Sequence, residues 1–235
     1  TWYDCERINE IRSQFYDLEQ LDKLRTSCIN QLRQRLAIEF PEAQKRFLQQ
    51  SKKLGFTPFV GWLAEIYSYT RVENNYRRSI AHSLGITISS YTRSHANAIV
   101  SLELRASSIE DWLDKAIAMP NFSPYLKVFE SFGFGSRLSV LLLIQIYPFD
   151  KFLVGGQPWV EEEIGHNDKL QLRYRSLRSF QLYLGIGYKW VQSGDKIVRT
   201  IGGSTVCRSH LYMWCFDRIA PEGNRRLQTY IGQNL

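Results

Sequence analysis

One short stretch of this chain carries residue types whose spacing could do chemistry on a phosphate. Gly202-Gly203-Ser204 opens a helical segment holding Cys207, Arg208 and His210. A hydroxyl in that position faces the positive end of a helix dipole. Arg199 and Arg208 lie close to it in sequence. Two guanidinium groups can hold the non-bridging oxygens of a phosphodiester while an oxygen nucleophile attacks the phosphorus. The plainer reading is that Ser204 is an N-cap, accepting a backbone N–H and doing nothing more.

A second stretch could bind phosphate without reacting. Phe132-Gly133-Phe134-Gly135-Ser136-Arg137 lies between two apolar segments and has the look of a helix-hairpin-helix turn. Glycine permits positive φ and a close backbone approach. Amides at the start of the following helix can then meet an anion, with Ser136 as cap and Arg137 adding charge. An ordinary helix–helix turn has the same pattern. The chain has no Walker loop, no HExxH and no GxSxG elbow. His82, His95, His166 and His210 are scattered, and Glu161-Glu162-Glu163 reads as a solvated loop run. Cys5, Cys28, Cys207 and Cys215 form no CxxC pair, which argues against a zinc ribbon and fits reduced thiols.

The elements that must position these residues are mostly helical. Residues 6–39 carry Leu18, Leu21, Leu24, Cys28, Leu32 and Leu36 at three- and four-residue steps and stop before Pro41. A second helix is expected over 42–54, a turn over 55–61, and an aromatic-rich helical stretch over 62–82. Ile99, Leu102, Ala106, Ile109, Leu113 and Ala116 form a heptad seam, stopped at Pro120. It reads either as a coiled-coil arm or as one core helix of a bundle. Two helices flank Gly133-Phe134-Gly135, a loop is expected over 154–167, a helix over 174–184, irregular or short-stranded chain over 186–203, and a last helix over 204–219. No strand–helix alternation appears, which argues against a doubly wound α/β domain within these residues.

The composition allows a core and excludes wholesale disorder: 44% of the 235 residues are hydrophobic. The longest apolar run, Leu138 to Ile146, falls far short of the ~20 residues a membrane helix needs. Thr1 to Glu10 lacks the pattern of a secretory leader, and the opening Thr is read as the start of a fragment. Lys and Arg total 30 against 23 Asp and Glu, a net charge of +7. Residues 1–163 hold 19 of each sign, so the whole excess lies in residues 164–235, with 11 basic against 4 acidic. A localised positive field suits a phosphate backbone; it also suits a solvated basic surface.

Several pieces then fall in a familiar order: Gly133-Phe134-Gly135 before an apolar helix, Tyr183-Leu184-Gly185-Ile186, Gln192-Ser193-Gly194, and Gly203-Ser204 with His210-Leu211. Together they resemble the C-terminal transposase domain of the insertion-sequence one-ten, one-sixteen and nine-oh-two family. Leu24 to Pro41 is similar to the helix that closes the RuvC-like domain of those enzymes. The resemblance implies a mainly α fold: 1–41 as the end of a RuvC-like domain, 42–121 as a helical coiled-coil connector, and 122–235 as a small helix-hairpin-helix-containing transposase domain. It makes Ser204 the nucleophile and Asp4 a ligand in an otherwise missing carboxylate set for Mg2+. It implies DNA as partner (element ends and target), a structured guide RNA in some members, a homo-oligomer, no membrane, and a cytoplasmic, nucleoid-associated place. Gly133, Gly135, Ser136, Arg137, Lys196, Arg199 and Arg208 become the nucleic-acid contacts.

The sequence departs from the family pattern in places. Thr205 stands for the usual Lys after the serine, Cys207 for a Gly, and Gly203 for an Ile; residues 151–174 are longer than usual. With most carboxylates absent, the chain alone is expected not to complete strand transfer. The alternatives are a non-catalytic DNA- or RNA-binding relic and a helical scaffold that oligomerises through Ile99 to Ala116.

Overall fold

A computed structural model describes residues 2–43, 51, 53–164, 170–194 and 196–219, with side chains from residue 6 onward except that of Ser193. Among them are nine α-helices and three two-stranded antiparallel sheets. The chain forms two compact units, Ser13–Leu113 and, apart from it, Thr1–Arg12 with Asp114–Leu235. The two long helices, Trp2–Glu39 and Ser90–Ile117, each give residues to both units.

The first unit is all helix. It takes most of α1 (Trp2–Glu39), then α2 (Pro58–Leu63), α3 (Thr70–Arg77), α4 (Ile80–Ser83) and α5 (Ser90–Ile117). Leu32, Leu36 and Phe40 pack with Phe59, Leu63, Val72 and Ile99 in one core. One expected stripe member fails: Leu24 is exposed, and Ile29 is buried in the run toward Leu32. The heptad seam is spent within the chain. Ile99, Ala106, Ile109, Leu113 and Ala116 are buried, as in a core helix of a bundle. The helix expected over 42–54 falls largely outside the described residues; Lys53 and Leu54 are in a turn, and Gly55 N–H donates to Ser51 O at 2.9 Å.

A buried carboxylate fastens this unit. Glu103 on α5 is fully buried. Its oxygens accept from Arg25 Nε at 2.7 Å, Thr57 N at 2.6 Å and Thr57 Oγ1 at 2.8 Å. A buried charge persists only when paired and hydrogen-bonded, and here α1 and the entry to α2 supply the partners.

The second unit is built on α7 (Ser136–Ile146), which is apolar nearly all round and therefore interior. Leu138 to Ile144 are all buried. α6 (Ser123–Ser131), α8 (Arg175–Tyr183) and α9 (Thr205–Arg218) belong to the same unit. Arg12 Nη2 donates to Ile144 O at 3.0 Å.

Three hairpins decorate these helices, two of them where a loop was expected. β1 (Leu153–Val154) pairs with β2 (Gln157–Pro158) across Gly155-Gly156. Both glycines have positive φ, 59° and 78°, the backbone that two-residue hairpin turns require. β3 (Val160–Ile164) pairs with β4 (Leu170–Tyr174), and β5 (Tyr188–Ser193) with β6 (Lys196–Ile201). The run Glu161 to Glu163 is therefore strand, held by pairing with Gln171, Leu172 and Arg173. No helix among the described residues is long and apolar enough to cross a membrane.

Candidate nucleic-acid interface

The β4–α8 junction and the β5–β6 hairpin bring four arginines and three aromatic rings to one groove. Strand pairing places Trp190 opposite Arg199, and Tyr188 opposite Ile201. Residues directly opposite in an antiparallel ladder share a face, so Tyr188, Trp190 and Arg199 point the same way. Arg175, Arg178 and Gln181 follow at three-residue steps along α8, which puts them on one helical face. With Arg173 and Tyr174 they line an open cavity of about 650 Å³. Ser176 fixes the start of α8: its hydroxyl donates to Phe152 O and accepts from Trp159 N at 2.8 Å.

The four guanidinium groups are not equivalent. Arg175 Nη2 meets Glu161 Oε2 at 2.6 Å, and Arg173 pairs with Glu163. Arg199 lies 4.0 Å from the centroid of the Tyr188 ring, a cation–π contact that leaves its donors free. Arg178 is exposed and has no side-chain partner among the described residues. Two positive charges are thus covered by carboxylates of β3, and two stand open to an anion.

Ser204 sits three residues beyond β6, half-buried, as the N-cap of α9. Its Oγ accepts from Cys207 N at 3.2 Å, satisfying one of the first-turn amides that a helix leaves unpaired. The neighbouring glycines are held by contact. A Cβ on Gly185 would lie 2.0 Å from Ser204 O, and one on Gly203 would lie 1.6 Å from Leu182 O. Gly202 N donates to Gly187 O at 2.8 Å. The Tyr183-to-Ile186 and Gly203-Ser204 motifs are therefore two halves of one close backbone junction.

The expected arginine pocket around Ser204 is built differently. Arg208 Nη1 donates to Gly185 O at 3.2 Å, and Arg199 sits over Tyr188. Each guanidinium has work elsewhere: Arg208 ties the α8 C-terminus to α9, and Arg199 belongs to the groove. Lys196 is exposed opposite Ser193, on the other hairpin face from Trp190. Cys207 is fully buried, and burial pushes its thiol up to about 12, so it carries no thiolate near neutral pH.

The Gly133–Gly135 turn joins α6 to α7 as expected, with Gly133 at φ 67°. Its surroundings are aromatic and acidic. Phe132 stacks on Phe134 at 5.3 Å, and Phe134 meets Trp214 edge-on at 4.8 Å. The Ser136 hydroxyl donates to the Asp114 carboxylate, so the chain itself brings a negative charge to the first residue of α7. Arg137 is half-buried. A second cavity of about 680 Å³ opens beside this turn, between Val128, Phe132, Phe149 and Phe180, with an almost wholly apolar lining.

Asp4 lies on α1, but its side chain is outside the described residues. Among those described, no three His, Cys, Asp or Glu side chains come together as a metal site would need. Of the residues that line this groove, the sequence reading named Arg199 as a candidate contact and did not single out Arg173, Arg175, Arg178, Tyr188 or Trp190. The available signal was Trp190 and Arg199 spaced symmetrically about Gly194-Asp195, visible once that segment is read as a hairpin. No family model matches the chain, and no curated protein or solved structure matches it.

Proposed function

We propose that this chain binds nucleic acid through the α8/β5–β6 groove and serves as the DNA-binding part of an insertion-sequence transposase. The observation that carries the reading is the groove itself: Arg178 and Arg199 open, beside Tyr188 and Trp190, within the segment that holds the whole net positive charge. Guanidinium groups with exposed rings are what a phosphate backbone and its bases are met by. The ordered motifs from Gly133 to Leu211 add the transposase assignment, with element ends and target DNA as partners; a guide RNA and a second copy of the chain are further partners of that reading.

Within it, Ser204 is the oxygen that would attack the phosphodiester. Its hydroxyl accepts one amide and keeps its own proton to give to a base. The specific observation favouring the non-catalytic alternative is that Arg208 is bonded to the backbone and Arg199 to Tyr188, so neither is committed to a phosphate at Ser204. Binding of a duplex with an affinity that falls as salt rises, weakened in R178A/R199A, tests the binding reading. Strand exchange by the enzyme carrying this segment, compared with its S204A variant, tests the chemistry.

A further inference from the structure

We propose that the groove takes an unpaired stretch of polynucleotide, with one base stacked on Trp190 and the flanking phosphates held by Arg178 and Arg199; this rests on the nucleic-acid reading above and names the form of the ligand. Three observations carry it. Trp190 is 63% exposed, a large apolar surface left in water although the α8 face is close enough to line the same cavity. Its ring has no aromatic or cationic partner among the described residues, whereas the neighbouring Tyr188 ring is covered by Arg199 at 4.0 Å. Trp190 is therefore the open platform, and the register sets a guanidinium directly across the ladder from it.

The geometry discriminates between nucleic-acid forms. In a duplex each base face is already stacked on its neighbour, so a flat indole meets only edges and backbone. An unpaired base offers a free face, and stacking of that face on an aromatic side chain is indifferent to which base it is. The charges fit the same ligand. Glu161 and Glu163 hold Arg175 and Arg173, leaving two open cations beside the ring rather than a broad basic track. That is a grip for a short single strand.

Fluorescence anisotropy on the full chain tests this with labelled single strands of roughly 12 nucleotides, within the span of known single-strand grooves. One is a thymidine and one a uridine oligonucleotide, set against a duplex of equal length. The expected result is tighter binding of at least one single strand than of the duplex. W190A should lose about tenfold for the single strand and nothing for the duplex, and W190F should keep most of the affinity. Because Trp190 is exposed, both variants should show wild-type circular dichroism. A W190A variant that binds single strand and duplex as the wild type does, or loses both alike, overturns the unpaired-base proposal and leaves the nucleic-acid reading standing. Failure of the wild type to bind any of the three at low salt overturns both.

Discussion

Gly185 and Ser204 meet backbone to backbone: the carbonyl oxygen of Ser204 occupies the space, 2.0 Å away, where any side chain on Gly185 would begin. Gly203 makes the same approach to Leu182 from the other side of the junction. Both glycines are left-handed, at φ 76° and 84°, a conformation that other residues adopt at a cost. G185A and G203A should therefore each lose roughly 2–5 kcal/mol, the sum of positive-φ strain and overpacking. G194A, where a Cβ meets nothing within 4 Å, should lose only the strain. Urea denaturation of the three variants gives the comparison, and equal losses would remove the close-approach argument.

Ser204 caps α9 whatever else it does. S204A should cost about 1 kcal/mol of stability, and S204D should restore most of it, since Asp caps as well as Ser. Neither change should move nucleic-acid affinity by more than twofold or so if the groove is the binding element. In an active strand-transfer enzyme bearing this segment, both variants should be inactive. Activity in S204D would leave the serine only its capping role.

Glu163 and Glu161 hold Arg173 and Arg175 and would compete with an anionic ligand of the groove. E161Q/E163Q should raise nucleic-acid affinity several-fold at low salt and steepen the salt dependence by up to two phosphate contacts, each worth a log–log slope of about 0.7–0.9. R178A should do the reverse, weakening binding across sequences and lowering the slope by about one contact. Binding isotherms over a salt series read both effects. An unchanged slope in R178A would place the phosphates elsewhere.

Cys207 gives a pH signature. Burial raises its thiol from 9.0 to about 12, so the folded protein keeps a proton that the unfolded chain gives up. Stability from this group is intact below about pH 9 and is lost as pH climbs toward 12. C207A should flatten the alkaline limb of a stability–pH curve. In mass spectrometry after brief alkylation near pH 8, Cys207 should stay unmodified until the protein unfolds.

Glu103, fully buried, pairs with Arg25, which is only partly buried, within the helical unit. E103A leaves the buried N–H and hydroxyl of Thr57 without their acceptor, so it should cost about 2–4 kcal/mol. E103Q, which keeps an acceptor for Thr57, should cost less. Thermal melts of the two variants, with R25A and R25A/E103A to close the cycle, separate the pair from its surroundings.

The long helices of this protein are written in its sequence, whereas the turn expected over 55–61 holds α2 and the stretch expected over 62–82 is broken before α3 and again before α4. Apolar residues at three- and four-residue steps mark α1 and α5, Pro41 and Pro120 mark their ends, and Gly133-Phe134-Gly135 marks the α6–α7 turn. These depend on local periodicity and on residues that stop a helix, so no distant contact is needed to read them. Ser204 at a helix start, with glycines before it, was legible for the same reason. The hairpins were not. β3 and β4 look like charged loop when read singly, because Glu161 to Glu163 show no alternation, and only pairing with Gln171, Leu172 and Arg173 makes them strands.

The groove was invisible for a related reason. Arg178, Trp190 and Arg199 come from a helix and two strands, and an arginine's role depends on what faces it. Composition placed the excess charge in the last third of the chain, which also supplies the groove. Tertiary structure decided that Glu161 and Glu163 cancel two of the arginines, that Arg208 serves the backbone, and that Arg178 and Arg199 stay open beside an uncovered indole. Local periodicity sets where a chain coils; which charges remain uncancelled is settled only when distant segments meet.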